Sequence, residues 1–228
     1  MDFGVNQDSY APTELLISGF PALTKPVIIP VGVSIAKNTV LGKITKGAAS
    51  SAAKTGGNTG NGTLVLDETT PILAKAKAGI YKVRVIRAAI AEVATTPAVP
   101  AMEAIATLTD PDGNILEVVD VPITTGITVA NQLKFVLTEG STPFALGDGF
   151  DITIATPSTE QHNSYDADNL DGTEEADCIL TEDVTGGSEA IVATAYRSGH
   201  FNESVVVGLD AKAKADLAGK GFFFSTLM

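Results

Sequence analysis

Two histidines, one cysteine and 27 carboxylates are the side chains with which this chain could do acid–base or metal chemistry. His162 lies in a polar stretch and His200 in a Ser198-Gly199-His200 turn ahead of Phe201. Neither belongs to a His-Glu-x-x-His zinc motif, and no Gly-x-Ser-x-Gly nucleophile elbow is present. Both histidines read as ordinary surface residues. Cys178 is the sole cysteine, which rules out an intrachain disulfide or a thiolate metal cluster. It sits in the apolar run Cys178-Ile179-Leu180 and reads as a buried, inert thiol. The acids of residues 166–172, DADNLDG, resemble a calcium loop, but the third acid and the glycine fall one place late for the helical version. A solvated turn is the expected form. Gly57 and Gly62 have the glycine spacing of a phosphate-binding loop, yet Thr63 stands where the lysine must be. Paired carboxylates such as Glu174-Glu175 carry little information in so acidic a chain, because glycosidase chemistry depends on a three-dimensional separation. The sequence therefore assigns no catalytic, cofactor-binding or metal-binding residue.

Lys and Arg total 15 against 27 Asp and Glu, a net charge of −12. Phosphate contacts need a basic surface, so nucleic acid and anionic membranes are not expected partners. No apolar run approaches the roughly 18 residues of a membrane span. Residues 1–14 contain Asp2, Asp8 and Glu14 and lack the basic start of a secretory leader. The chain is expected to be made in a reducing cytoplasm.

Short β-rich runs separated by Gly, Pro and Asn turns organise most of the length. Residues 1–13 are polar and read as an arm. Residues 27–35 are β-rich but interrupted by Pro30, and residues 40–44 form the next strand. Residues 46–63, KGAASSAAKTGGNTGNGT, have the composition of a flexible linker. Strands then follow at 80–86, 104–109, 115–121, 133–137 and 150–154, with a Pro-Asp-Gly turn at 110–114. These strands predict a small β-sandwich at residues 60–157. Further strands are expected at 178–180 and 190–196. Asp210 is placed to cap a helix over 211–218 that Gly219 ends, and Phe222, Phe223 and Phe224 form a last strand. Adjacent aromatics on a strand alternate faces, so both faces call for a cover.

The phrases YDADNLDG from Tyr165, ILTEDV from Ile179 and AIVATAYRSGHFNES from Ala190 resemble the C-terminal half of tailed-phage head decoration proteins, the family of phage lambda head protein D. PVIIPVGVSIAKNTVLGKIT, from Pro26, resembles the N-terminal part, with Asn38 where the family phrase has glycine. AKADLAGKGFFF resembles its close. The resemblance covers residues about 15–46 and 161–225 and leaves out the middle.

It implies a mainly β fold: a decoration-type, β-tulip-like barrel of residues 21–46 and 161–228, interrupted by the sandwich. It also implies a structural virion protein, with no enzymatic activity and no cofactor, that binds the outer surface of an assembled capsid as a homotrimer and stabilises it. The implied partner is the major capsid protein. In the family an N-terminal arm orders on the capsid, which corresponds to residues 1–20 here, with Asp2, Phe3, Val5, Tyr10, Leu15, Leu16 and Phe20 as candidate capsid contacts. Phe222, Phe223 and Phe224 are the candidate trimer contacts. An alternative is a carbohydrate- or receptor-binding module displayed on the virion, with the insert as its binding part. The insert's few aromatics, Tyr81, Phe135, Phe144 and Phe150, argue against a sugar site.

Overall fold

The computed structural model describes residues 14–17, 21–90, 101–123 and 125–227. The chain is mainly β and separates into two compact units. The first comprises Met1–Ile44 and Thr159–Met228; the second, Thr45–Ser158, is inserted into it.

In chain order, β1 (Leu23–Ile29) ends where Pro30 removes a ladder donor. Asn38 then turns the chain with φ 65°, a left-handed conformation open to glycine and tolerated by asparagine. β2 (Val40–Lys43) follows. The insert supplies β3 (Ala49–Ala53), β4 (Thr63–Leu66), β5 (Gly79–Arg87), β6 (Ala104–Thr109), β7 (Ile115–Val121), β8 (Ile127–Ala130), β9 (Lys134–Thr138) and β10 (Gly149–Ile154). The chain returns through β11 (His162–Ser164), β12 (Ala176–Leu180), β13 (Ile191–Asn202), α1 (Ala211–Ala218) and β14 (Phe222–Ser225).

In the first unit the strand order is β1-β13-β12-β2-β11, all antiparallel, with β14 added parallel to β13. A single bridge between Ile28 and Gln161 brings the two edges together, but no ladder joins them. The expected barrel is thus a curled, open sheet: β11 is three residues long and ends too soon to pair along β1. Gly42 of β2 is required by packing, since a Cβ there would lie 2.5 Å from the Thr173 backbone. Two apolar clusters fill the unit. One gathers Val27, Ile29, Leu41, Cys178 and Leu180, the other Val40, Ile179, Phe201, Leu217 and Phe222. Helix α1 starts as the sequence predicts: the Asp210 carboxylate accepts from Ala213 N at 2.6 Å. Its inner face is Ala213 and Leu217.

The insert is a two-sheet sandwich, with orders β3-β10-β5-β6-β7 and β4-β9-β8. Along β5, Tyr81, Val83 and Val85 point inward while Ile80, Lys82 and Arg84 point out, as period-two alternation demands. The inner faces share one core that includes Tyr81, Leu108, Phe135, Leu137, Phe144 and Ile152. The buried Tyr81 hydroxyl donates to Gln132 Oε1 and accepts from Lys77 N, both at 2.8 Å, which satisfies it.

Three expectations are corrected. Residues 46–63 are not a loose linker: the insert begins at Thr45, and β3 pairs with β10 in the sheet. Thr59 N and Gly60 N donate to the buried Asp148 carboxylate, and Gly149 N donates to Asn58 Oδ1. This stretch is ordered by its backbone, which a reading of its side chains cannot detect. The strand expected over 27–35 starts and stops earlier, at 23 and 29. The turn expected at Ser198-Gly199-His200 is strand, because β13 runs on through Gly199, which takes φ 155° where a Cβ would meet the Phe201 ring at 2.8 Å.

Candidate interaction surfaces and a buried charge cluster

β13 organises the first unit's sheet, lying between β1 and β12. Over residues 191–198 it pairs with β1, and over 199–202 with β14. On the side away from β14, residues 14–17 complete the pairing: Asn202 N donates to Leu15 O at 2.8 Å and Ile17 N to His200 O at 2.9 Å. Asn202, fully buried, also donates from Nδ2 to Glu14 O at 3.3 Å. The N-terminal segment is therefore already bridged to this unit at Leu16, opposite Phe201.

Phe201 lies at the centre of this region. Its ring stacks on Phe222 at 5.4 Å, meets Tyr196 edge-on at 5.2 Å and approaches Phe224 at 6.1 Å. Two predicted sites are revised by this. Phe222 is 2% exposed and belongs to its own chain's core, so it offers no surface to a partner subunit. Leu15 packs against the same cluster instead of lying open for a capsid. Alternation along β14 leaves Phe223 facing out at 51% exposure, while Phe224 is half-buried. Leu16 is 39% exposed. Asp2, Phe3, Val5, Tyr10 and Phe20 lie outside the described residues.

A second cluster was not legible in the sequence. His162 is not a surface residue: it is 4% exposed on β11, and its Nε2 lies 2.9 Å from Asp177 Oδ2. Lys25 of β1 donates to the same oxygen, and Lys220 Nζ to Asp177 Oδ1 at 2.9 Å. A register shift between Ala176 and Cys178 marks an irregularity in β12 at Asp177. Asp177, Cys178 and His162 form a trio with metal-ligand chemistry, their ligand atoms within 4.8 Å of one another. The carboxylate is already occupied, however, by an imidazole and two ammonium groups. His162, Lys25 and Lys220 together hold its pKa well below the usual range. A divalent cation would have to displace both lysines. Burial pushes the Cys178 thiol up to about 12, as expected of an inert core thiol. The cluster therefore works as a clasp that ties β1, β11, β12 and the chain after α1 to one anion. No motif signals it, since 15 residues separate His162 from Asp177 and 152 separate Lys25 from it.

The acidic turn folds onto itself. Asp166 Oδ1 accepts from Asp168 N at 3.0 Å, and Asp171 Oδ1 from Thr173 N at 2.9 Å and Thr173 Oγ1 at 2.6 Å. Beside it, Tyr165, Asp166, Val206, Leu209 and Asp210 line an open cleft. The Tyr165 hydroxyl, pushed up to about 12 by burial and by the adjacent Asp210 carboxylate, donates to Asp210 at 3.1 Å. His200 Nε2 sits 2.7 Å from Ser225 Oγ at the end of β14.

No family model and no curated protein matches the chain. A solved structure, FlgL from Xanthomonas campestris, is similar at 13% identity over 59% of this chain and 40% of its own, with a TM-score of 0.29. A likeness of that size carries no argument about fold or function.

Proposed function

We propose that the chain is a structural virion protein of the head decoration type, which binds the outer surface of an assembled phage capsid as a trimer and stabilises the shell. The observation that supports this reading is spatial. The phrases resembling decoration proteins lie at the two ends of the sequence, 15–46 and 161–225, and those ends fold into one compact unit. The unmatched middle is a unit by itself. Asn38, which replaces a glycine of the family phrase, has the positive φ that glycine would serve.

The physical action is mass action: a protein that binds only the assembled lattice shifts the equilibrium toward it, and three linked copies multiply each contact. The N-terminal arm precedes residues 14–17, which bridge to β13, and strand addition is a physical mode by which it could join a capsid sheet. Phe223 and the half-buried Phe224 are the trimer candidates that their strand retains. The carbohydrate-binding alternative gains no support: Tyr81, Phe135, Phe144 and Phe150 are all buried in the insert and present no stacking platform.

The test is sedimentation of the protein with assembled heads and, separately, with unassembled capsid subunits. Retention on heads alone, lost on deletion of residues 1–13, is expected. Equal binding to free subunits, or binding unchanged by the deletion, would refute the reading.

A further inference from the structure

The outer face of the insert's five-stranded sheet carries apolar side chains that remain exposed among the described residues. Ile80, Ile86, Ile115 and Val118 are 49–64% exposed. The pairing register arranges the β5, β6 and β7 side of this face in rows. Arg84, Thr107 and Val118 are level with one another across β5, β6 and β7, as are Arg87, Ile105 and Asp120. A register shift between Val85 and Arg87 is what returns Arg87 to the outer face.

The rows place cations on β5 and apolar or acidic groups on β7, with β6 between them. Such a face is complementary to itself. A half-turn about an axis along β6 sets β5 of one copy over β7 of the other at the same level. Arg87 then meets an Asp120, and the Arg84 stem covers a Val118. Within one chain the Arg87–Asp120 pair is loose, at 4.0 Å with both side chains more than 40% exposed. An exposed pair of that kind contributes little. The insert carries 11 acidic and 8 basic residues, so net charge barely opposes its self-association.

We propose that this face is a homotypic interface. A second copy of the chain packs on it about a two-fold axis along β6, and Arg87 of each copy pairs with the partner's Asp120. Two sheets stacked this way lie about 10 Å apart, within reach of both side chains. The contact is independent of the first unit and stands whether or not the chain decorates a capsid.

Sedimentation equilibrium of the full-length chain tests it, with thermal melting as the control for folding. Arg87→Asp and Asp120→Arg should each weaken self-association roughly tenfold or more, because each sets like charges opposite one another. Mixed together, the two variants should associate more tightly than either does alone, since opposite charges then meet across the axis. A pair acting only within one chain cannot produce that rescue. Val118→Asp should remove the same association step. A chain with no such step, a step indifferent to all three substitutions, or a mixture no tighter than its components would overturn the proposal. So would an association removed only by Phe223→Asp, which belongs to the first unit.

Discussion

In the unit built from both chain ends, Asp177 receives His162, Lys25 and Lys220; in the inserted unit, Glu139 receives one backbone N–H, from Phe144, and its Oε2 is buried without a partner among the described residues. The two carboxylates are consequently driven in opposite directions. Asp177 is held low by its donors, whereas burial, with the charge of Asp148 adding to it, pushes Glu139 up. The cores differ in the same sense. The insert has one continuous apolar cluster spanning both sheets; the unit of the two chain ends, outer in sequence only and called the outer unit below, divides its apolar residues between two clusters and joins its elements through an ionic clasp.

The largest effects should come from the cores. Phe135→Ala in the insert and Phe201→Ala in the outer unit should each cost about 3–5 kcal/mol. In calorimetry each should lower only its own unit's transition. A single transition moved equally by both would erase the distinction between the units. Next is Asp177→Asn, which leaves two lysines facing a neutral amide. The cost should be about 2 kcal/mol, less than for a fully buried pair because part of the carboxylate meets solvent. It should fall on the outer unit alone, and an unchanged outer transition would remove the clasp from the account.

The smallest effect is in pH dependence, and its sign differs between the two carboxylates. Asp177 has a folded pKa below the ordinary 3.8, so its contribution is present above that pH and fades as pH falls through the folded value. Glu139 has a folded pKa above the ordinary 4.5, so its contribution is present below 4.5 and is lost as pH rises through the raised value. Asp67, Asp110 and Asp148 of the insert are also held low by their donors, so strong acid should weaken both units; only above pH 4.5, where Glu139 ionises, should the insert lose stability as pH rises toward neutral. Glu139→Gln should flatten the insert's profile between pH 4.5 and neutral and leave the other unit's untouched. A profile unchanged by the substitution would assign the slope to another group.

The legible parts of the fold were those carried by side-chain pattern. β6, β7 and α1 stand where β-rich runs between turns and the Asp210 cap place them, and the helix buries Ala213 and Leu217 one turn apart. β3 and β11 were not legible. The first is Ala-Ser-Ser-Ala-Ala and the second His-Asn-Ser, so each owes its strand form to a neighbour's backbone and not to apolar side chains. The candidate site divides the same way. The three phenylalanines marked the last strand, but which ring turns inward depended on Phe201, a residue of the preceding strand. The clasp depended on contacts between remote segments and left no trace in spacing.

Removal of the insert tests most directly the claim that the chain ends alone make the capsid-binding unit. Ile44 N donates to Gln161 O at 2.8 Å, so residues 44 and 159 can be joined by a short turn with the flanking strands in place. The account predicts a folded protein that keeps the melting transition of the outer unit and is retained on assembled heads as well as the full chain is. A spliced protein that melts cooperatively but no longer binds heads would contradict it, and would place the insert in the capsid contact.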